Sequence, residues 1–175
     1  IIATPFAILF IAISAQLAIN LPEAVSTVPI TGQTFAVLVI AHLLKEFWAI
    51  IVVTLYLLLG LIGIPIFSDF SSGITVLTGP SGGYLIGFIA GAFVTGRMAS
   101  KQEANFKFLL LQMILGTFFI LLIGYLGLFR FLDPSDAYTK GVKPYLLGAF
   151  VKIFLATILL SVYYKLRALM NNKVA

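Results

Sequence analysis

Apolar residues run along this chain in helix-length blocks, and short polar stretches separate them. The first block, Ile1 to Leu21, has Pro5 in its first turn and no charge. It lacks a basic leader region and is long enough for a full span, so it reads as a retained helix rather than a signal peptide. The absence of an initiator methionine suggests a trimmed chain. A turn-rich stretch, NLPEAVSTVPITGQ, follows, and Thr34 to Gly60 is then apolar except for HLLKEF at its centre. One continuous helix would set Lys45 and Glu46 near mid-membrane, at about 2.5–3.5 kcal/mol each on the insertion scale for lysine and aspartate. Two short helices meeting at Lys45-Glu46 avoid that cost, so the pattern predicts a break there. A loop rich in breakers, GIPIFSDFSSGITVLTGPSGG, comes next and is long enough to fold back on the protein. Helices are then expected at about Tyr84 to Met98, Phe106 to Phe129 and Pro144 to Leu166, separated by GRMASKQEANFK and RFLDPSDAYTKGVK. The expected fold is all-α: a polytopic membrane protein forming a compact bundle of six transmembrane helices, with residues 1–175 in one domain.

Composition strengthens the membrane assignment. Of 175 residues 61% are hydrophobic and only 10% charged, with a mean hydropathy of +1.14; an ordinary globular domain carries about 25% charged residues. With about 20 apolar residues needed per spanning helix, little chain is left for a soluble domain. There is no cysteine and a single histidine, which excludes a disulfide framework, a thiolate metal site and a histidine-rich one. The net charge of +5 would suggest nucleic acid in a soluble protein, but here the basic residues lie at helix ends, where membrane orientation accounts for them. With both termini cytoplasmic, the inner side holds Lys45, Arg97, Lys101, Lys107, Lys165, Arg167 and Lys173, and the outer side Arg130, Lys140 and Lys143. That bias favours both termini inside; a five-helix reading with the amino terminus outside also satisfies the rule, so the break at Lys45-Glu46 separates the two.

The chemistry that is missing narrows the function. No GxxxxGK[ST] is present, so the chain cannot cradle ATP phosphates in a P-loop by itself. The six acids, Glu23, Glu46, Asp69, Glu103, Asp133 and Asp136, all fall in loops or at helix ends, which disfavours a proton or sodium carrier. GPSGG around Ser81 resembles a glycine-flanked nucleophile. Its base would have to be His42, expected at the opposite membrane edge, across about 30 Å of hydrocarbon. No catalytic residue, metal or cofactor is therefore assigned. Gly83, Gly87 and Gly91, at four-residue intervals, predict a smooth helix face for close packing.

One charge stands out. Lys152 lies inside the apolar run of the last helix, eight residues past Pro144 and so about 12 Å below the helix start. That is deep for snorkelling to the nearer interface, and intramembrane ionisable residues normally face the bundle interior or a wet cavity. The loops STVPITGQTF and FSDFSSG add aromatic residues beside a few polar groups, the usual lining of a site for a small, partly apolar ligand.

Three segments, VPITGQTFAVLV at 28–39, LYLLLGLIGIPIF at 55–67 and GPSGGYLIGF at 79–88, resemble the signatures of the BioY family, the biotin-binding substrate components of energy-coupling-factor transporters. The resemblance implies six helices and capture of biotin at the outer face of the cell membrane. It also implies import driven by a transmembrane coupling protein and two cytoplasmic ATPases, consistent with the missing P-loop. It gives Ala3 and Ala7 of the first helix a docking role toward the coupling protein. For the ligand it implies Lys152 on the carboxylate, Gln33, Thr31 and loop serines such as Ser72 on the ureido group, and Phe67 and Tyr84 over the ring, with Gly82 and Ala149 at the site. The family's last helix typically reads PFLPGDLLK, where this chain has PYLLGAFVK. Ala149 thus stands where the aspartate is usual, Leu147 where a proline is, and Gly32 where a leucine is. A second reading follows from Ala149: the same scaffold binding another small anionic vitamin or metabolite.

Overall fold

The structure is a computed structural model that describes residues 3–26, 28–100 and 105–171. Lys101 and Lys173, two of the basic residues weighed for orientation, lie outside them. Seven α-helices follow in chain order among the described residues: α1 (Ala3–Gln16), α2 (Gln33–Leu61), α3 (Ile74–Thr78), α4 (Gly82–Ala99), α5 (Phe106–Leu128), α6 (Pro134–Gly141) and α7 (Lys143–Asn171). Three of them, α2, α5 and α7, are each long and apolar enough to cross a membrane.

Helix α2 is a hairpin. Lys45 has φ 63° and ψ 178°, far from helical values, and the direction of the chain reverses there. Gln33 and Tyr56 prove the reversal. In one straight helix 23 residues would separate them by about 35 Å, yet Gln33 Nε2 donates to the Tyr56 hydroxyl at 2.6 Å. The break expected at Lys45-Glu46 is therefore present, and α1, the two halves of α2, α4, α5 and α7 form a bundle of six long helical segments. The hairpin tip rests on α4, where a Cβ on Gly96 would come within 2.8 Å of the backbone of Lys45 and Glu46. Beside it Arg97 pairs with Glu46 at 2.9 Å.

The glycine face of α4 packs as expected. A Cβ at Gly83 would lie 3.0 Å from the Cα of Gly127, and one at Gly87 would lie 2.9 Å from the carbonyl of Ile120, so α4 and α5 meet nearly backbone to backbone. By contrast α7 is peripheral, burying Tyr145, Ala156, Thr157 and Leu160 while much of its apolar surface faces outward. In lipid that surface carries no penalty.

Local structure departs from expectation at several points. The first helix ends at Gln16 rather than Leu21, because strand β1 (Ala18–Ile19) pairs antiparallel with β2 (Ile30–Thr31). Helix α7 runs on to Asn171. The stretch read as a plain connection holds α6, whose signals are local: Asp133 before it, Pro134 in its first turn and an Asp136–Lys140 pair one turn apart. His42, expected as a membrane-edge residue, is buried near the hairpin tip, 2.7 Å from Gln112 Oε1 and 3.0 Å from the Tyr164 hydroxyl. The polar partners on α5 and α7 that make its burial tolerable are far away in sequence.

Candidate functional site

Toward the end of the bundle opposite the hairpin tip, the β1–β2 loop, the loop between α2 and α3, the first turns of α4, the middle of α5 and the outer part of α7 enclose a pocket. It holds about 650 Å3 of atom-free space, open mouth included. Six of the eight residues expected to contact ligand line it: Thr31, Gln33, Phe67, Tyr84, Ala149 and Lys152. Ser72 and Gly82 do not. Ser72 is half-buried in the loop before α3, and Gly82 opens α4 where any side chain would collide with the backbone of Leu77.

Lys152 points its ammonium inward from α7, donating to the Thr31 carbonyl at 2.6 Å. No carboxylate pairs with it among the described residues, whose ion pairs are Arg97–Glu46 and Lys140–Asp136. Ala149, one turn earlier on the same helix, contributes a methyl group to the lining. An ammonium at the wall of an apolar pocket, holding one carbonyl, keeps donors free for an anionic group.

The wall adjoining Lys152 is a chain of polar groups that starts at Thr31 itself. Thr31 Oγ1 donates to Gln33 Oε1 at 2.9 Å, and Gln33 is buried with its other end on Tyr56. Tyr56 in turn donates to the Ile66 carbonyl at 2.9 Å. The loop that follows is tied down from α1: Gln16 Nε2 donates to the Phe67 carbonyl at 3.0 Å, and its Oε1 accepts from the Phe70 amide at 3.0 Å. Phe67 is 1% exposed, its ring filling the space left by the missing side chain of Gly60 and meeting Tyr56 edge to face at 5.5 Å. This loop is thereby held against α1 and α2 at the pocket wall.

Aromatic rings make the remaining wall. Tyr84 and Tyr145 lie 5.7 Å apart with their planes tilted 33°. Each is fixed by its hydroxyl: Tyr84 donates to the Gly141 carbonyl and Tyr145 to the Val28 carbonyl, with Ser26 alongside. Leu85, Phe88 and Ile120 floor the site. Sequence reading missed Tyr145, Ser81 as a lining residue, and Thr117, a hydroxyl from the middle of α5. Thr117 had one signal, a lone β-branched polar residue in an otherwise apolar run. Ser81 and His42 sit at opposite ends of the bundle, so this nucleophile and this base do not come together. Of the expected docking residues, Ala3 is exposed and Ala7, at 4% exposure, is packed inside the bundle.

Residues 1–169 match the model of the BioY family. The chain is 38% identical over 133 residues to the biotin transporter BioY of Thermotoga maritima, covering 75% of this chain and 78% of the relative. It is 32% identical to the probable biotin transporter BioY of Pyrococcus horikoshii, over 86% and 89% of the two chains. Identity to the biotin transporter BioY2 of Lactococcus lactis is 36%, over 83% and 82%. A crystal structure described as the S-component for biotin from an ECF-type ABC transporter shares the fold, with a TM-score of 0.81 at 24% identity, over 94% of this chain and 89% of the other.

Proposed function

The chain belongs to the BioY family, and on that premise we propose that it is the substrate-binding component for biotin of an energy-coupling-factor transporter, a membrane protein that serves transport rather than catalysis. The observation that carries the ligand assignment is Lys152, whose ammonium lines the pocket with a backbone carbonyl and, among the described residues, no carboxylate as partner. In this reading Lys152 holds the valerate carboxylate of biotin. The ring system lies against Phe67 and Tyr84, and Gln33 and Thr31 hydrogen-bond its ureido group. Each part of the ligand then meets a wall of matching chemistry.

Capture takes place at the outer face of the cell membrane, with both termini cytoplasmic and the loops after β1 and before α3 closing over the ligand. Energy comes from a partner module of a transmembrane coupling protein and two cytoplasmic ATPases. The exposed Ala3 side of α1 supplies a docking face for the coupling protein, while Ala7 contributes to the bundle behind it.

Equilibrium binding of biotin, desthiobiotin, biotinamide and a few unrelated vitamins to the purified protein tests the proposal. Biotin is expected to bind best. Lys152→Met should weaken biotin by about 1.5–3 kcal/mol, the range for a hydrogen bond to a charged group, and weaken biotinamide less. Equal losses for acid and amide would remove the carboxylate from Lys152, and no detectable biotin binding would sink the ligand assignment. The second reading, another small anion, is favoured by Ala149, which leaves the lysine without the family's aspartate; it gains if an unrelated anionic vitamin outcompetes biotin.

A further inference from the structure

We propose that Tyr56, which lies outside the pocket, is a positioning residue that fixes which end of the Gln33 amide faces which neighbour, and that the loop carrying Phe67 must be closed for it to do so. The inference rests on the reading of Gln33 as a ligand contact.

A primary amide can be turned end for end with little change in shape, so something must decide where its donor and acceptor lie. Here three hydrogen bonds decide together. Tyr56 is fully buried and its hydroxyl has one proton to give. The Ile66 carbonyl takes that proton at 2.9 Å. The hydroxyl is then left as an acceptor, and the group 2.6 Å away must be the donating Nε2 of Gln33. The other end agrees: Thr31 Oγ1 accepts the Gln33 backbone N–H at 3.3 Å and spends its own proton on Gln33 Oε1 at 2.9 Å. Turning the amide would set its oxygen against the Tyr56 hydroxyl oxygen and cost the Thr31 hydroxyl its acceptor, and would leave Ile66 without its proton if Tyr56 turned with it. Buried groups unmatched in this way are costly.

In the fixed orientation Gln33 keeps one N–H and one oxygen lone pair for a ligand. A neighbouring donor and acceptor of set order is what a cyclic urea, with N–H beside C=O, would match. The Ile66 carbonyl belongs to the loop that places Phe67 over the pocket. When that loop lifts, the Tyr56 proton is released and Gln33 can turn either way. Closure of the loop and the polarity of the binding wall are therefore one event.

The test is a double-mutant cycle on biotin affinity in the purified full chain, with Tyr56→Phe, Gln33→Ala and the pair. Tyr56→Phe is expected to weaken biotin about tenfold, as for loss of one buried hydrogen bond. In the Gln33→Ala background the same change should do almost nothing. Tyr56→Phe should also shrink the discrimination between biotin and iminobiotin, whose protonated cyclic guanidinium offers a donor where the ureido C=O of biotin accepts, while leaving the ratio of biotin to biotinamide unchanged. Thr31→Val, which removes the other clamp on the amide, should show the same coupling to Gln33→Ala and serves as the second variant should Tyr56→Phe fold poorly. Equal weakening of every ligand by Tyr56→Phe, or full additivity with Gln33→Ala, overturns the proposal and makes Tyr56 merely structural. Unchanged biotin affinity in Gln33→Ala overturns it too, by removing Gln33 from the ligand. Absence of biotin binding in the unsubstituted protein instead defeats the ligand assignment on which it stands.

Discussion

At the scale of a single residue, Lys152 sets a cost to the fold against its proposed role at the site. Its ammonium is drawn out of water and compensated by one carbonyl, whereas buried charges are normally paired. Replacing it by methionine keeps length and removes the charge. Lys152→Met is therefore expected to raise the midpoint of thermal unfolding of the ligand-free protein in detergent, even as it weakens the ligand, the trade usual for functional polar groups. A lower midpoint would mean that the bond to Thr31 holds the fold together and that the lysine is structural. This residue was legible in sequence because one charge inside an apolar run is conspicuous. Tyr56 was not, since a tyrosine among leucines looks like packing and its partners, Gln33 and Ile66, become neighbours only once the chain has reversed at Lys45. Gly82 and Ser72 show the opposite case: they belong to the right segments but do not line the pocket, one pressed against Leu77 and the other half-buried in the loop before α3.

At the scale of elements the α2 hairpin is the decisive feature, because it brings Gln33 beside Tyr56. The cost of two mid-membrane charges announced the break, and composition located it to the residue pair. What the sequence did not announce was how tight the reversal is. Lys45 adopts φ 63° with ψ 178°, a region essentially reserved for glycine and costing others on the order of 1–3 kcal/mol. Lys45→Gly is thus expected to stabilise the protein by about 1 kcal/mol, read as a higher unfolding midpoint; no gain would mean that the lysine's contacts offset the strain. The partner surface is Gly96, and its tolerance is far lower. A leucine there would drive its Cβ into the hairpin backbone, and overpacking against backbone costs roughly 1–3 kcal/mol or more. Gly96→Leu should lower the midpoint clearly, whereas Arg97→Ala, which removes a half-exposed ion pair, should shift it by less than about 1 kcal/mol. Helix α6 and the α1 end at Gln16 escaped prediction for a related reason: both depend on short polar signals that hydropathy blocks override.

The whole molecule is polarised along the bundle axis. The pocket opens at one end, beside α6 and the loop before α3, and the other end carries the hairpin tip, Arg97, Lys107, Lys165 and Arg167. Among the described residues the pocket end mixes Arg130, Lys140 and Lys143 with Glu23, Asp69, Asp133 and Asp136, so its charges nearly cancel, while the other end is basic apart from Glu46. Since lysine and arginine are retained on the cytoplasmic side, the pocket should face outward, which capture of an external ligand also requires. The chain has no cysteine, so one introduced thiol reports one position. Thr139→Cys on α6 and Arg167→Cys near the end of α7 are both at exposed positions. In intact cells a membrane-impermeant maleimide is expected to label the first, and the second only after permeabilisation; the reverse pattern would turn the molecule over and make the pocket cytoplasmic. Ser68→Cys, at the pocket wall, extends the same measurement to function. Biotin should slow its labelling while leaving Thr139→Cys unaffected, because a ligand held beneath the closed loop shields only the residues that line its chamber.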